Sequence, residues 1–227
     1  PAGSSGPTPA SIHDRAGMLD PGFSDLLVYD SYERRGWIDH CLPIDSDVHS
    51  FSRGKVNFLG DFLNQPYGGR IEKTSSAATA TLRRRGSILL DGVLHPLELR
   101  KSIRIPRKER KCLATYRLSN PSGQTLRFLF GSECNFALKD AHVNRVGQTQ
   151  GVQKFQMTDP AARLQLSWNF SRAAQLWTFP IETISDSEKG MERTYQGVSL
   201  TFLWLLTLPP GRSWDVRWTL TIESPHA

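Results

Sequence analysis

The chain has 227 residues with a formal net charge of +6 and a sequence pI near 9.4, 38% of its residues are hydrophobic and 22% charged. That length suits one large β domain or two small ones. A stretch long and apolar enough to cross a bilayer is absent from the sequence, as is a charged-then-apolar leader, so neither a membrane span nor a signal peptide is predicted. The cations are scattered rather than striped, which argues against a nucleic-acid partner.

Residues 1–23 are read as a flexible linker, because the run rich in Pro, Gly, Ser and Ala buries too little apolar surface to offset its ordering entropy. A chain opening on Pro1 is expected to be a piece cut from a longer polypeptide. Residues 24–65 are read as a helical or loop docking segment. Within it Asp25 to Cys41 is the helix candidate: Leu26, Tyr29 and Tyr32 recur at a helix-like interval, Ser24 suits an N-cap, and Pro43 ends the run. Val48 to Asn64 reads as a loop or short helical turns.

Residues 66–225 read as strands. In WDVRWTLTIE, Trp214, Val216, Trp218, Leu220 and Ile222 face one way and Asp215, Arg217, Thr219 and Thr221 the other. Leu164, Leu166, Trp168 and Phe170 share a face in the same manner. Such alternation is what half-buried antiparallel strands require. Turn signals fall between the runs at Asn120-Pro121-Ser122-Gly123, Asp159-Pro160 and Pro209-Pro210-Gly211. The basic cluster from Arg104 to Lys111 reads as a solvated hairpin turn, and Leu200 to Leu208 as a central strand either covered on both faces or with one face meeting another domain. Long strands without intervening helices predict an all-β fold, a large antiparallel β-sandwich, preceded by a short N-terminal helical segment.

Five residues could meet sugar hydroxyls: Glu133, Asn135, Trp177, Glu182 and Gln196. A carboxylate among Phe, Leu and Ile costs free energy unless it is hydrogen-bonded, so Glu133 and Glu182 serve either a ligand or an internal polar network that pins strand register. Trp177, beside Phe179, is the candidate aromatic platform, with a core position as its alternative. Tyr29, Asp30, Tyr32, Arg34, Asp39 and His40 are the docking candidates; a satellite helix capping the sandwich would use them equally well. Asp39 and His40 do not form a catalytic pair if helical, since helix neighbours point about 100° apart. No residue is assigned a catalytic role, and no cofactor is expected. The six histidines show no HxxxH or HxH spacing, and the oxygen-rich loops around Asp140, Asn144, Asp186, Ser187 and Glu188 lack calcium-loop order, so no metal site is expected. Cys41, Cys112 and Cys134 form no disulfide framework, which points to a reducing cytoplasm.

Four motifs occur in order: YDSYERRGWIDHCLP followed by FSRGKVNFLGDFLNQPY, then FGSECNFAL, LWTFPIETISDSEKGMERTYQG and LTFLWLLTLPPGRSWDVRWTLTIE. Together they resemble the C-terminal β-sandwich of glycoside hydrolase family 57, the 4-α-glucanotransferase and α-amylase-like group. The resemblance runs from Ser24 to Glu223, departing at Cys41 and Cys134, where the family places apolar or aromatic residues. It implies a galactose mutarotase-like sandwich that carries no chemistry itself, because the family's catalytic carboxylates sit in a separate N-terminal (β/α) barrel with no counterpart here. The partners it implies are that barrel within the same polypeptide and an α-1,4-glucan or maltooligosaccharide. The alternatives are a stand-alone aldose epimerase, which needs an acid–base pair facing one pocket, and a free carbohydrate-binding module.

Overall fold

The alternating runs all become strands of one antiparallel sheet. The structure, a computed structural model, describes residues 30–139, 141, 143–187 and 190–224. The strands are β1 (Gly36–Leu42), β2 (Gly68–Lys73), β3 (Ala77–Leu90), β4 (Val93–Pro106), β5 (Lys111–Ser119), β6 (Leu126–Phe136), β7 (Gly147–Asp159), β8 (Leu164–Ser187), β9 (Gly190–Leu208) and β10 (Ser213–Glu223), with one short helix, α1 (Val48–Ser52). Their hydrogen-bonded order is β1-β6-β9-β8-β10-β5-β4-β3-β2, with β7 on the free side of β8.

One strand makes the sheet into a sandwich. The first part of β8 pairs with β10 (Phe170↔Trp218 through Gln165↔Glu223), whereas its second part pairs with β9 from Gln175↔Leu203 onward. A strand that changes partners midway carries the chain round the corner between two layers. One layer holds β1, β6, β9 and the end of β8; the other holds the start of β8, β10 and β5 to β2. β7 follows β8 round the corner through two register shifts, and Gly151 supplies the left-handed backbone (φ +68°) there.

The core lies between the layers. Phe128, Phe130, Phe202, Trp204 and Leu206 come from the first, and Leu99, Tyr116, Leu118, Trp168, Phe170, Trp218 and Leu220 from the second; all are buried. They interdigitate: Phe170 meets Phe202 at 4.6 Å between ring centroids, and Tyr116 meets Phe130 at 5.6 Å. Each such side chain contributes roughly 1.5–3 kcal/mol by leaving water. Ile222, expected in the same set, is 37% exposed at the end of β10. The hairpin turn expected between Arg104 and Lys111 closes β4 onto β5.

The opposite face of the first layer is also covered. Leu129, Leu203, Trp177 and Phe179 pack there against Leu42, Val48 and Phe51. The central strand is therefore covered on both faces at Thr201 and Leu203, but Leu205, one step on, is 57% exposed. α1 is held over this face and capped by Asp47, whose side chain accepts from the backbone N–H groups of His49 and Ser50.

The helix expected over Asp25 to Cys41 is corrected for its described part. Residues 30–35 have neither helix nor strand structure, and 36–42 form β1, paired with β6 from Gly36↔Cys134 to Leu42↔Leu129. The pairing gives Cys41 to the core and Leu42 to the outer cluster. Burial on two faces outweighs a helix-like spacing of three residues. The short helical segment of this region is α1 instead.

All three cysteines are buried and unpaired. Burial pushes the Cys134 thiol up to about 12 and the Cys112 thiol up to about 11. Thiolate is the reactive form, so Ellman's reagent is expected to find no fast thiol in the native chain and three after denaturation. A stoichiometric fast reaction in the native state would contradict the fold at β1, β5 or β6.

Candidate functional site

Two charged clusters mark the first layer, one on each side of β1. Successive strand residues face opposite ways. His40 therefore points to the outer face and Asp39 to the inner one, which rules out a dyad between them.

On the outer face Glu133 is fully buried. One carboxylate oxygen accepts from the Tyr32 hydroxyl at 2.7 Å and lies 2.6 Å from His40 Nε2. The other accepts from Arg34 Nη1 at 3.2 Å, from Asn135 Nδ2 at 2.8 Å and from Ser199 Oγ at 3.4 Å. Burial alone would raise the Glu133 pKa. The hydrogen bond and charge of His40, the Tyr32 hydroxyl and the Arg34 charge outweigh it and hold the carboxyl down to about 2. A deprotonated Glu133 requires His40 Nε2 to donate; Nδ1 is buried with no partner among the described residues. The Tyr32 phenol is pushed up, by burial first and then by the Glu133 charge. Arg34 also grips Asp30, with Nε and Nη2 donating to its two oxygens at 2.8 and 2.6 Å, and its guanidinium lies 5.1 Å from the Phe179 ring centroid. Glu133 thus fastens the irregular stretch 30–35 to the sheet. It offers no free oxygen to a substrate and no proton.

On the inner face Asp39 is 2% exposed. Its Oδ2 accepts from Lys101 Nζ at 2.7 Å and from the Tyr67 hydroxyl at 2.7 Å. Lys101 also donates to the Trp37 carbonyl at 2.6 Å. The pair ties β1 to β4 across the sandwich. Lys101 and Tyr67 were not picked out from the sequence. A signal existed: Lys101 occupies the core phase of a strand whose preceding inward positions are Leu97 and Leu99, and a lysine there requires a buried partner.

The sugar candidates do not converge. Glu133 and Asn135 belong to the network above. Trp177 is fully buried on the same face, 5.4 Å from the Phe51 ring, so it presents no ring face and takes the core alternative. Glu182 pairs with Arg193. The exposed Gln196 donates to Thr183 Oγ1 at 3.1 Å. Of the docking candidates, Asp30, Tyr32, Arg34 and His40 meet around Glu133, and Asp39 lies across β1 from them; Tyr29 lies outside the described residues, as do Asp140, His142 and Glu188. No group of three or more His, Cys, Asp or Glu side chains able to hold a metal occurs among the described residues, and none of their helices is long and apolar enough to cross a membrane.

These features define a large antiparallel β-sandwich whose most buried charges hold its own segments together. The chain belongs to the alpha-amylase/4-alpha-glucanotransferase C-terminal family, whose model matches residues 2–218. It is 29% identical over 195 residues to a 4-alpha-glucanotransferase of Thermococcus kodakarensis, matching 86% of this chain and 27% of that protein. It is 24% identical over 216 residues to alpha-amylase 1 of Dictyoglomus thermophilum, matching 90% of this chain and 30% of that protein. The crystal structure of the 4-alpha-glucanotransferase from Thermococcus litoralis superposes with a TM-score of 0.77 at 25% identity, over 95% of this chain and 31% of the other. The chain therefore spans less than a third of the length of these relatives.

Proposed function

We propose that this chain is the non-catalytic β-sandwich of an α-glucan-processing enzyme of the 4-α-glucanotransferase and α-amylase type. Its role is to support a catalytic barrel carried by the same polypeptide. The observation that carries this reading is the pairing of a family match along nearly the whole chain with coverage of under a third of each relative. The site chemistry supports it. An acid–base catalyst must reach its substrate, yet Glu133 and His40 are both buried and bonded to each other. The stretch 30–35, fastened by Arg34 and Tyr32, is the segment proposed to meet the barrel.

The test uses the Thermococcus litoralis enzyme. Deleting the region that matches this chain is expected to abolish soluble, active protein, and grafting this chain in its place to restore part of the transfer between maltooligosaccharides. The chain alone is expected to turn over neither maltoheptaose nor fresh α-glucose. Unaided disproportionation, or accelerated mutarotation, would overturn the accessory reading.

A further inference from the structure

The outer face of the second layer is a regular lattice of side chains whose charges are set by strand register. Arg83 of β3, Arg100 of β4, Arg117 of β5 and Asp215 of β10 lie directly opposite one another in one row. Three parallel rows on the same four strands carry Arg85 beside Glu98, then Arg217, then Arg104; their other members are serines, threonines and Leu113. All six arginines are exposed. They stand against two carboxylates, a surplus of four positive charges on a chain whose net charge is +6. Dispersed along the sequence, they meet because alternate positions of neighbouring strands share a face.

Folding does not account for this arrangement. Like charges directly opposite on adjacent strands are destabilising, yet Arg100 stands between two other arginines. Arg83 and Arg85 donate to Glu98, and Arg117 donates to Asp215. The guanidinium groups of Arg100, Arg104 and Arg217 have neither an ion pair nor a hydrogen bond among the described residues.

The geometry selects the partner. A guanidinium fork suits a carboxylate or a phosphate. On ordinary sheet spacings the three unpaired arginines stand about 12–13 Å apart at their backbones, so no one small anion spans them and the partner is itself a surface. These rows carry no aromatic ring, and so no stacking platform for single-stranded nucleic acid. Their one apolar residue, Leu113, is half-buried, so nothing inserts into a bilayer. Glu98 and Asp215 lie among the arginines, and a uniformly negative phosphate backbone or headgroup layer would cover them together with the cations. A folded protein can set separate carboxylates over the three unpaired arginines and keep clear of the two acids.

We propose that this face is an interaction surface for an acidic partner protein whose carboxylates meet Arg100, Arg104 and Arg217. The surface is separate from the stretch 30–35 proposed to meet the barrel, which is fastened with Glu133 on the opposite side of the sandwich. A second copy of the face does not fit it, since arginine would oppose arginine. The proposal does not rest on the α-glucan reading.

The test titrates the full 227-residue chain with poly-L-glutamate at about 0.15 M NaCl and reads the arginine Nε–H resonances by heteronuclear NMR. Those of Arg100, Arg104 and Arg217 are expected to move and saturate. Replacing these three by glutamine is expected to lower affinity about tenfold, with folding kept, because no ion pair is lost. Arg53, Arg127 and Arg145 are exposed cations outside this face. Replacing them by glutamine removes the same net charge and is expected to lower affinity by less than about twofold. Equal losses in the two triple variants overturn the proposal, because net charge alone then binds. Unmoved resonances at saturation overturn it too. So does tighter binding of duplex DNA, or of phosphatidylserine vesicles, through the same arginines, which assigns the face to a phosphate layer. The graft experiment reads a different quantity: a chain that restores transfer while this face stays silent loses the surface and keeps the accessory role.

Discussion

Replacing Glu133 by alanine is expected to destabilise the chain by about 3–5 kcal/mol, the cost of leaving a buried partner charge uncompensated. Four donors and His40 converge on this carboxylate, from residues 2 to 101 positions away in sequence. Without it Arg34 keeps only Asp30, and His40 loses its hydrogen-bond partner in a fully buried position. Stretch 30–35 then keeps, of its side-chain bonds to β6, only that from Asn135 Nδ2 to the Arg35 carbonyl at 2.8 Å, so the damage concentrates where the barrel is proposed to dock. Glu133→Gln keeps the shape and part of the hydrogen bonding and is expected to cost less. Urea midpoints at neutral pH measure both. A midpoint unchanged in Glu133→Ala would show that the network does not hold the segment.

The same carboxylate sets an acid limit. Its folded pKa of about 2 lies below the value of about 4.3 usual for an unfolded glutamate. The unfolded chain therefore takes up the proton first, and Glu133 contributes stability above the unfolded value. That contribution is lost as pH falls from roughly 4.3 towards 2. The urea midpoint of Glu133→Gln is expected to vary less than that of the native chain across this window.

Lys101→Met is expected to cost a similar amount, about 3–5 kcal/mol, for the opposite reason: it strands an anion. Asp39 would remain buried with only the Tyr67 hydroxyl on its carboxylate, and the Trp37 carbonyl would lose its donor. Replacing both members, Asp39→Leu with Lys101→Met, removes the charges together and is expected to recover most of the loss, since apolar replacement of a buried pair is commonly near neutral. A double-mutant cycle followed by urea unfolding decides it. Additive losses in the double variant would mean that the two residues act independently, against their 2.7 Å contact.

Periodicity alone carried much of the architecture. Leu166, Trp168 and Phe170, and Val216, Trp218 and Leu220, alternate with polar residues and do share the buried face, because side chains on a pleated strand repeat every two residues whatever the partner strand is. Pro and Gly clusters placed the turns for an equally local reason. The helix expected over Asp25 to Cys41 failed at 36–42 because β1 is stabilised by pairing with β6, almost a hundred positions on, and no local pattern records that partner.

The candidate site was legible only in part. Glu133 stood out as a carboxylate in apolar surroundings that requires a ligand or an internal polar network, whereas Asp39 stood out only as a docking candidate. Which partner was a matter of topology: His40 meets Glu133 across 93 positions and Lys101 meets Asp39 across 62. Trp177 shows the same limit from the other side. It is out of phase with its core neighbour Leu176, and in an isolated sheet it would face water; α1, delivered by a distant part of the chain, covers that face. The sequence by itself determined the strands after β1, the buried side of most of them, and the family. Tertiary structure decided which polar groups are satisfied and which are left over, because a hydrogen bond or ion pair depends on distances that strand order creates and local periodicity does not encode.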